Sequence, residues 1–242
     1  MKTLFASFGW LLLLLPFISL AGTRTLLHST NRIVSSEERT VNNFSGVSSS
    51  GSYDVYIRMG TKEELRLEGD GDIIKHIETR VENGILKIRH TQSKRGWNWS
   101  REKVKIYITA KTIKNLTISG SGSVEVSGTI REEKLSTQVS GSGSMRMNIQ
   151  AKTLNAAVSG SGSLRVSGSA NDANISLSGS GEFKGKELKT STTAIKVSGS
   201  GNATVYTVKQ LNASLSGSGN ISYSGNPQVN QRKSGSGRIS RL

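Results

Sequence analysis

The sequence predicts an all-β protein: a single-stranded parallel β-helix, or solenoid, of roughly 18–21-residue rungs with an irregular β N-terminal portion. Three observations predict it. The tetrad SGSG begins at Ser119, Ser140, Ser159, Ser178, Ser198, Ser216 and Ser234, at intervals of 21, 19, 19, 20, 18 and 18 residues. A fixed period near 20 marks a chain whose units bury their apolar faces against their neighbours. Second, apolar residues alternate strictly through the tetrads. Leu154, Ala156, Val158, Gly160, Gly162, Leu164 and Val166 share one parity, and Asn155, Ala157, Ser159, Ser161, Ser163, Arg165 and Ser167 the other. That is the period of a strand. Third, Asn115, Ser136, Asn155, Asn174, Ala194, Asn212 and Asn230 recur four residues before each tetrad, as an amide ladder between stacked rungs would require.

The elements follow in chain order. Residues 1–21 read as a secretory signal peptide: Lys2, an apolar run over residues 4–20, and the small-x-small site Ser19-Leu20-Ala21. An uncleaved anchor is the alternative, but the run is short and contains Pro16. No later segment is apolar for long enough to cross a membrane as a helix. Residues 22–40 are polar and without periodicity, and are expected to be disordered. A β-helical domain is expected over residues 41–242, with irregular rungs at 41–118 and seven SGSG repeats at 119–242.

Within the irregular part, YDVYIRM, ELRLEG, ETRVENGILKIRH and KVKIYITA alternate apolar with polar residues. Asn83-Gly84 between two such runs signals a hairpin. DIIKHI at residues 72–77 is compatible with one helical turn, and RGWNWS at 95–100 reads as a loop with two tryptophans. In the repeats, Gly is expected to face inward, where a narrow column leaves no room for a side chain, and Ser outward. The last repeat carries Lys233, Arg238 and Arg241 in place of apolar and small residues, the pattern of a polar end cap.

This layout resembles a bacterial family of the Bacteroidota type described as "putative autotransporter adhesin, head GIN domain", a domain of unknown function. The resemblance rests on FSGVSSSGSYDVYI (44–57), LEGDGDIIKHIETRVENGILKI (67–88) and the recurrent SGSGS-apolar-x-apolar units, and covers about residues 41–239. It implies a β-helical fold and an exported or envelope location, at the periplasm or cell surface. It carries over no catalytic residues.

The chemistry of the side chains narrows the function classes. The chain has no cysteine, which excludes disulfides, a lipid-modified cysteine and Cys-ligated zinc. The formal net charge is +15, spread without a single basic block. That suits either a solvated surface or attraction to anionic polymers or lipid head groups. No nucleic-acid motif is present, and no nucleic-acid partner is expected. The acids of the repeats, Glu125, Glu132, Glu133, Asp172, Glu182 and Glu187, share no single ladder, and no Ser-His-Asp or metal-ligand spacing is visible. GDGD at residues 69–72 is one copy of a pattern that calcium repeats need many times, and reads as a turn. No catalytic residue, metal site or cofactor is therefore expected.

One outward ladder stands out. Arg146, Arg165 and Lys184 hold the same position in three consecutive repeats, about 5 Å apart if the rungs stack. Such a column is either a solvent face screened by salt or a contact for an anionic glycan or lipid head group. Trp97 and Trp99 would extend a glycan-binding strip if they stood beside it. The expected function is a non-catalytic, exported envelope binding, adhesion or scaffold protein of undetermined oligomeric state. A polysaccharide-processing enzyme on a β-helix and an ice-binding Ser surface are the competing classes.

Overall fold

The computed structural model describes residues 34–91 and 104–242. The chain is nearly all strand, as the alternation predicts. Seven strands lead up to the repeats: β1 (Val34–Arg39), β2 (Gly46–Ser50), β3 (Asp54–Met59), β4 (Glu64–Asp70), β5 (Ile77–Glu82), β6 (Ile85–His90) and β7 (Lys105–Ala110). The repeats are β8 (Asn115–Gly120), β9 (Ser123–Gly141), β10 (Ser144–Gly160), β11 (Ser163–Gly179), β12 (Glu182–Gly199), β13 (Asn202–Gly217), β14 (Asn220–Ser224), β15 (Gln228–Ser234) and β16 (Arg238–Arg241). One helical turn, α1 (Gly71–Ile74), follows β4.

The repeats stack in parallel at the predicted register. Ser144 lies beside Ser163, Arg146 beside Arg165, Asn155 beside Asn174 and Gly160 beside Gly179. The core follows the predicted alternation on each side of a corner: in β11, Leu164 and Val166 are buried, then, after the inward parity switches, Ala173, Ile175 and Leu177. Each such Val, Leu or Ile contributes about 1.5–3 kcal/mol through apolar burial. Where one rung places the large Phe183, its neighbours shrink to Ala203 above it and Gly185 two residues on, so the column keeps its width.

The tetrad is a corner in the strand, and its two glycines do different things. Only the second faces the core as expected: a Cβ on Gly162 would lie 2.6 Å from both Gly143 O and Val139 Cγ1. The first is turned to solvent, which corrects the inward expectation for Gly160 and its equivalents. It occupies φ near +100°, and a Cβ there would lie 2.7 Å from Gly141 O of the previous rung. Two or three exposed residues in a row make the bend, yet the ladder continues through it. Ser161 N donates to Gly141 O at 2.9 Å and Ser163 N to Gly143 O at 3.0 Å. Variation in repeat length is absorbed elsewhere, at register shifts after Arg146, Arg165 and Gly185.

The Asn column forms the predicted ladder where two copies adjoin. Asn174 Nδ2 donates to Asn155 Oδ1 at 3.0 Å, and Asn230 Nδ2 to Asn212 Oδ1 at 3.1 Å. These residues are in ordinary extended backbone, so the side-chain ladder alone accounts for them. A buried polar cluster sits between two rungs: Thr190, Thr193 and Thr207 bond to one another at 2.7, 2.8 and 3.2 Å, leaving no hydroxyl unsatisfied.

The irregular part caps the column, and its order in space departs from its order in the chain. β2 and β3 form one rung laid on β8 and β9. On its other side lie β6 and β7, which come later in sequence. The first rung of the chain is thus inserted between two later ones. Beyond it the pairing turns antiparallel: β4 on β7, β1 on β4, and β5 on β6. The β5–β6 turn has φ +52° at Asn83 and +72° at Gly84, the type I′ hairpin the pair predicts.

The expected disorder of residues 22–40 is corrected at its C-terminal part, because Val34–Arg39 is strand β1. It is an edge strand held by backbone bonds to β4, so it needs no apolar stripe for a sequence pattern to reveal. Arg39 fastens it, donating to Ile77 O at 2.5 Å, Ile74 O at 3.0 Å and Thr79 Oγ1 at 3.1 Å. The signal-peptide segment and residues 22–33 lie outside the described residues. At the far end, Lys233 and Arg241 take the register positions of Leu215 and Tyr223, the polar cap foreseen in the last repeat.

Candidate binding surface

The outward positions that follow the tetrad corner make one continuous ladder. Strand pairing lines up Glu38, Arg66, Tyr107, Tyr56, Glu125, Arg146, Arg165, Lys184 and Thr204 across nine strands. Its first half is a stack. The Tyr56 and Tyr107 rings lie 5.3 Å apart with planes 19° from parallel, and the Arg66 guanidinium sits 4.6 Å from the Tyr107 centroid. Arg66 is also ion-paired to Glu68. Partial burial, then the neighbouring Glu68, push the Tyr107 hydroxyl above its ordinary pKa, so it stays a neutral donor.

The second half is the predicted cation column, and its members are not equivalent. Arg146 and Arg165 stand on adjacent rungs, exposed, and neither forms an ion pair among the described residues. Lys184 is tied to Glu182 at 2.9 Å. Glu182 stands where the neighbouring rungs carry Ser163 and Asn202, so this rung alone brings its own counter-charge. The strip therefore narrows to two guanidiniums on strands about 5 Å apart, without an ion pair among the described residues, between Glu125 on one side and one neutralised ammonium on the other.

Trp97 and Trp99 lie outside the described residues. The aromatic pair that joins the cation ladder is Tyr56 with Tyr107. A signal for Tyr56 was present: SGSYDVYI aligns with SGSGSVEV, which sets Tyr56 beside Glu125. Next to the stack is an open groove of about 730 Å³, lined among others by Arg58, Glu64, Arg66, Tyr107 and Glu125. In the same alignment Tyr53 takes the place of the inward glycine. It is buried against His90, with ring centroids 5.4 Å apart, and desolvation raises its pKa and lowers that of His90.

Several of the charged groups elsewhere have structural partners. Asp70 caps α1 by accepting from Asp72 N at 2.8 Å, and Asp72 pairs with Lys75 at 3.1 Å, so GDGD is a turn and a cap. Glu133 pairs with Lys152 at 2.5 Å. Among the described residues no three His, Cys, Asp or Glu side chains converge as a metal site would need. No described helix is long and apolar enough to cross a membrane.

Comparison with known proteins places this geometry. A "putative adhesin" from Bacteroides fragilis NCTC 9343 superposes with a TM-score of 0.79 at 22% identity, covering 86% of this chain and 97% of that one. A "putative lipid binding protein" from Parabacteroides distasonis ATCC 8503 gives 0.70 at 26% identity, covering 88% and 98%. A "putative adhesin" from Parabacteroides merdae ATCC 43184 gives 0.67 at 18% identity, covering 88% and 97%. No curated protein matches the chain significantly. The first and third likenesses are of fold. The family model described as "Putative auto-transporter adhesin, head GIN domain" matches residues 43–227, and the chain, as its repeats foretell, belongs to that adhesin-type β-solenoid family.

Proposed function

We propose that this is an exported, non-catalytic binding module of the bacterial envelope whose lateral face grips an anionic glycan through Arg146 and Arg165. One observation carries the reading: two exposed guanidiniums, without ion pairs among the described residues, stand on successive rungs of the ladder. Like charges held this close repel, and a sulfate, carboxylate or phosphate between them removes that cost while accepting bidentate hydrogen bonds. The stack of Arg66, Tyr107 and Tyr56 rigidifies the adjoining face, so little side-chain entropy is lost there on binding. The adhesin names borne by similar structures agree with a surface-binding role.

The test is retention of the mature chain on an immobilised anionic polysaccharide under a salt gradient. Replacing Arg146 and Arg165 by Ser should move elution to clearly lower salt, whereas removing the neutral pair as a whole, Glu182→Ser with Lys184→Ser, should change it little. Equal retention of the double variant and the parent would discard the strip as the contact.

A further inference from the structure

A second surface, independent of the lateral strip, lies at the far end of the column. Residues 188–242 contain Lys189, Lys196, Lys209, Arg232, Lys233, Arg238 and Arg241 and no Asp or Glu, a local net charge of +7. Residues 34–91, at the opposite end, hold ten acids and eight bases. The column is therefore electrically polar along its axis. Four of the seven cations stand on β15 and β16, the last two strands, and all four are exposed. None of the four has an ion pair among the described residues.

The same segment also carries exposed apolar side chains. The exposed large hydrophobic side chains among the described residues are Val208, at 40% exposure, and Leu242, at 62%. Both belong to this segment. Val229 and Ile239, which continue the core columns of Leu211 and Ile221, are only partly covered there. Lys233 and Arg241 stand among these at inward register positions, with long stems able to lie over the apolar end while their charges reach outward.

We infer that this end of the column docks end-on against an anionic lipid surface. Exposed cations on the last two strands, beside the partly covered Val229 and Ile239, match the head-group boundary, where charge meets phosphate and short apolar side chains enter the interface. A soluble polyanion would satisfy the charges and leave the apolar patch in water. A second copy fits poorly: this end repels its like, and the opposite end, nearly neutral overall, offers little counter-charge.

The experiment is co-sedimentation of the chain with vesicles of phosphatidylcholine alone and with one third phosphatidylglycerol, at low and high salt. The chain should partition to the anionic vesicles and be released by salt. Replacing Arg232, Lys233, Arg238 and Arg241 together by Ser should lower partitioning on the order of several hundredfold, given about fivefold per cation near an anionic surface. Arg146→Ser with Arg165→Ser should leave it unchanged, which separates this surface from the lateral strip. Single Arg238→Glu, at an exposed outward site, covers the case in which the fourfold variant fails to fold, and should weaken partitioning more than tenfold. Equal partitioning of variants and parent, equal binding to neutral vesicles, or loss of self-association in place of lost vesicle binding would each overturn the inference.

Discussion

The regular repeats, β10 to β13, and the N-terminal cap, β1 to β7, solve one problem in two ways. In the repeats, chain order is spatial order, each rung touches only its copies, and the corner depends on glycine. In the cap, strands from distant parts of the sequence interleave, pairing turns antiparallel, and ion pairs such as Arg89–Glu78 and Lys87–Glu82 brace the faces. At the equivalent of the inward glycine the cap buries Tyr53. A column built from identical rungs can use one minimal residue at every bend. The cap, built from unlike strands, fills the corresponding space with a side chain and ties its last edge with polar contacts.

The largest test of this contrast exchanges the two solutions. Gly162→Val would force a side chain to 2.6 Å from Gly143 O and should lower stability by about 3 kcal/mol or more. Tyr53→Gly should cost about as much for the opposite reason, an unfilled cavity beneath β6. Chemical denaturation of both variants checks this. A tolerated valine would show that the corner can widen, and the close-packed column would have to be abandoned.

Next in size is the fastening of the edge. Arg39→Ala should lose about 1–3 kcal/mol through the abandoned carbonyls of Ile74 and Ile77. Hydrogen exchange should accelerate in β1 and β5 while β10 to β13 remain protected. Uniform acceleration would mean that cap and repeats unfold as one unit.

The smallest effect is electrostatic. Hydrogen bonds from Arg89 and Lys87 hold the carboxyls of Glu78 and Glu82 below the usual glutamate value of 4.5. A depressed folded pKa stabilises above the unfolded value, and that contribution is lost as pH falls from 4.5 through the folded values. Acid should therefore loosen β5 and β6 ahead of the repeats, where Glu133 with Lys152 is the one similarly shifted carboxyl among the described residues. Exchange rates followed from neutral pH downward check the order of loosening.

The sequence by itself determined the solenoid, the rung length, the parity of the core, the hairpin at Asn83-Gly84 and the stacking of Arg146 on Arg165. All of these follow from local alternation and a repeat, because a rung that pairs only with its own copy has its register set by its own motif. Alternation says that a side chain points outward; it does not say which strand lies beside it. The insertion of β2 and β3 between later strands, the meeting of Tyr56 with Tyr107 and the anchoring of β1 through Arg39 were decided by tertiary structure alone. So was the split role of the two glycines, since a bend that turns three outward residues in succession leaves the period of two intact on either side. Non-local pairing is chosen by the whole set of edges and cavities left to fill, and no window of the sequence contains that set.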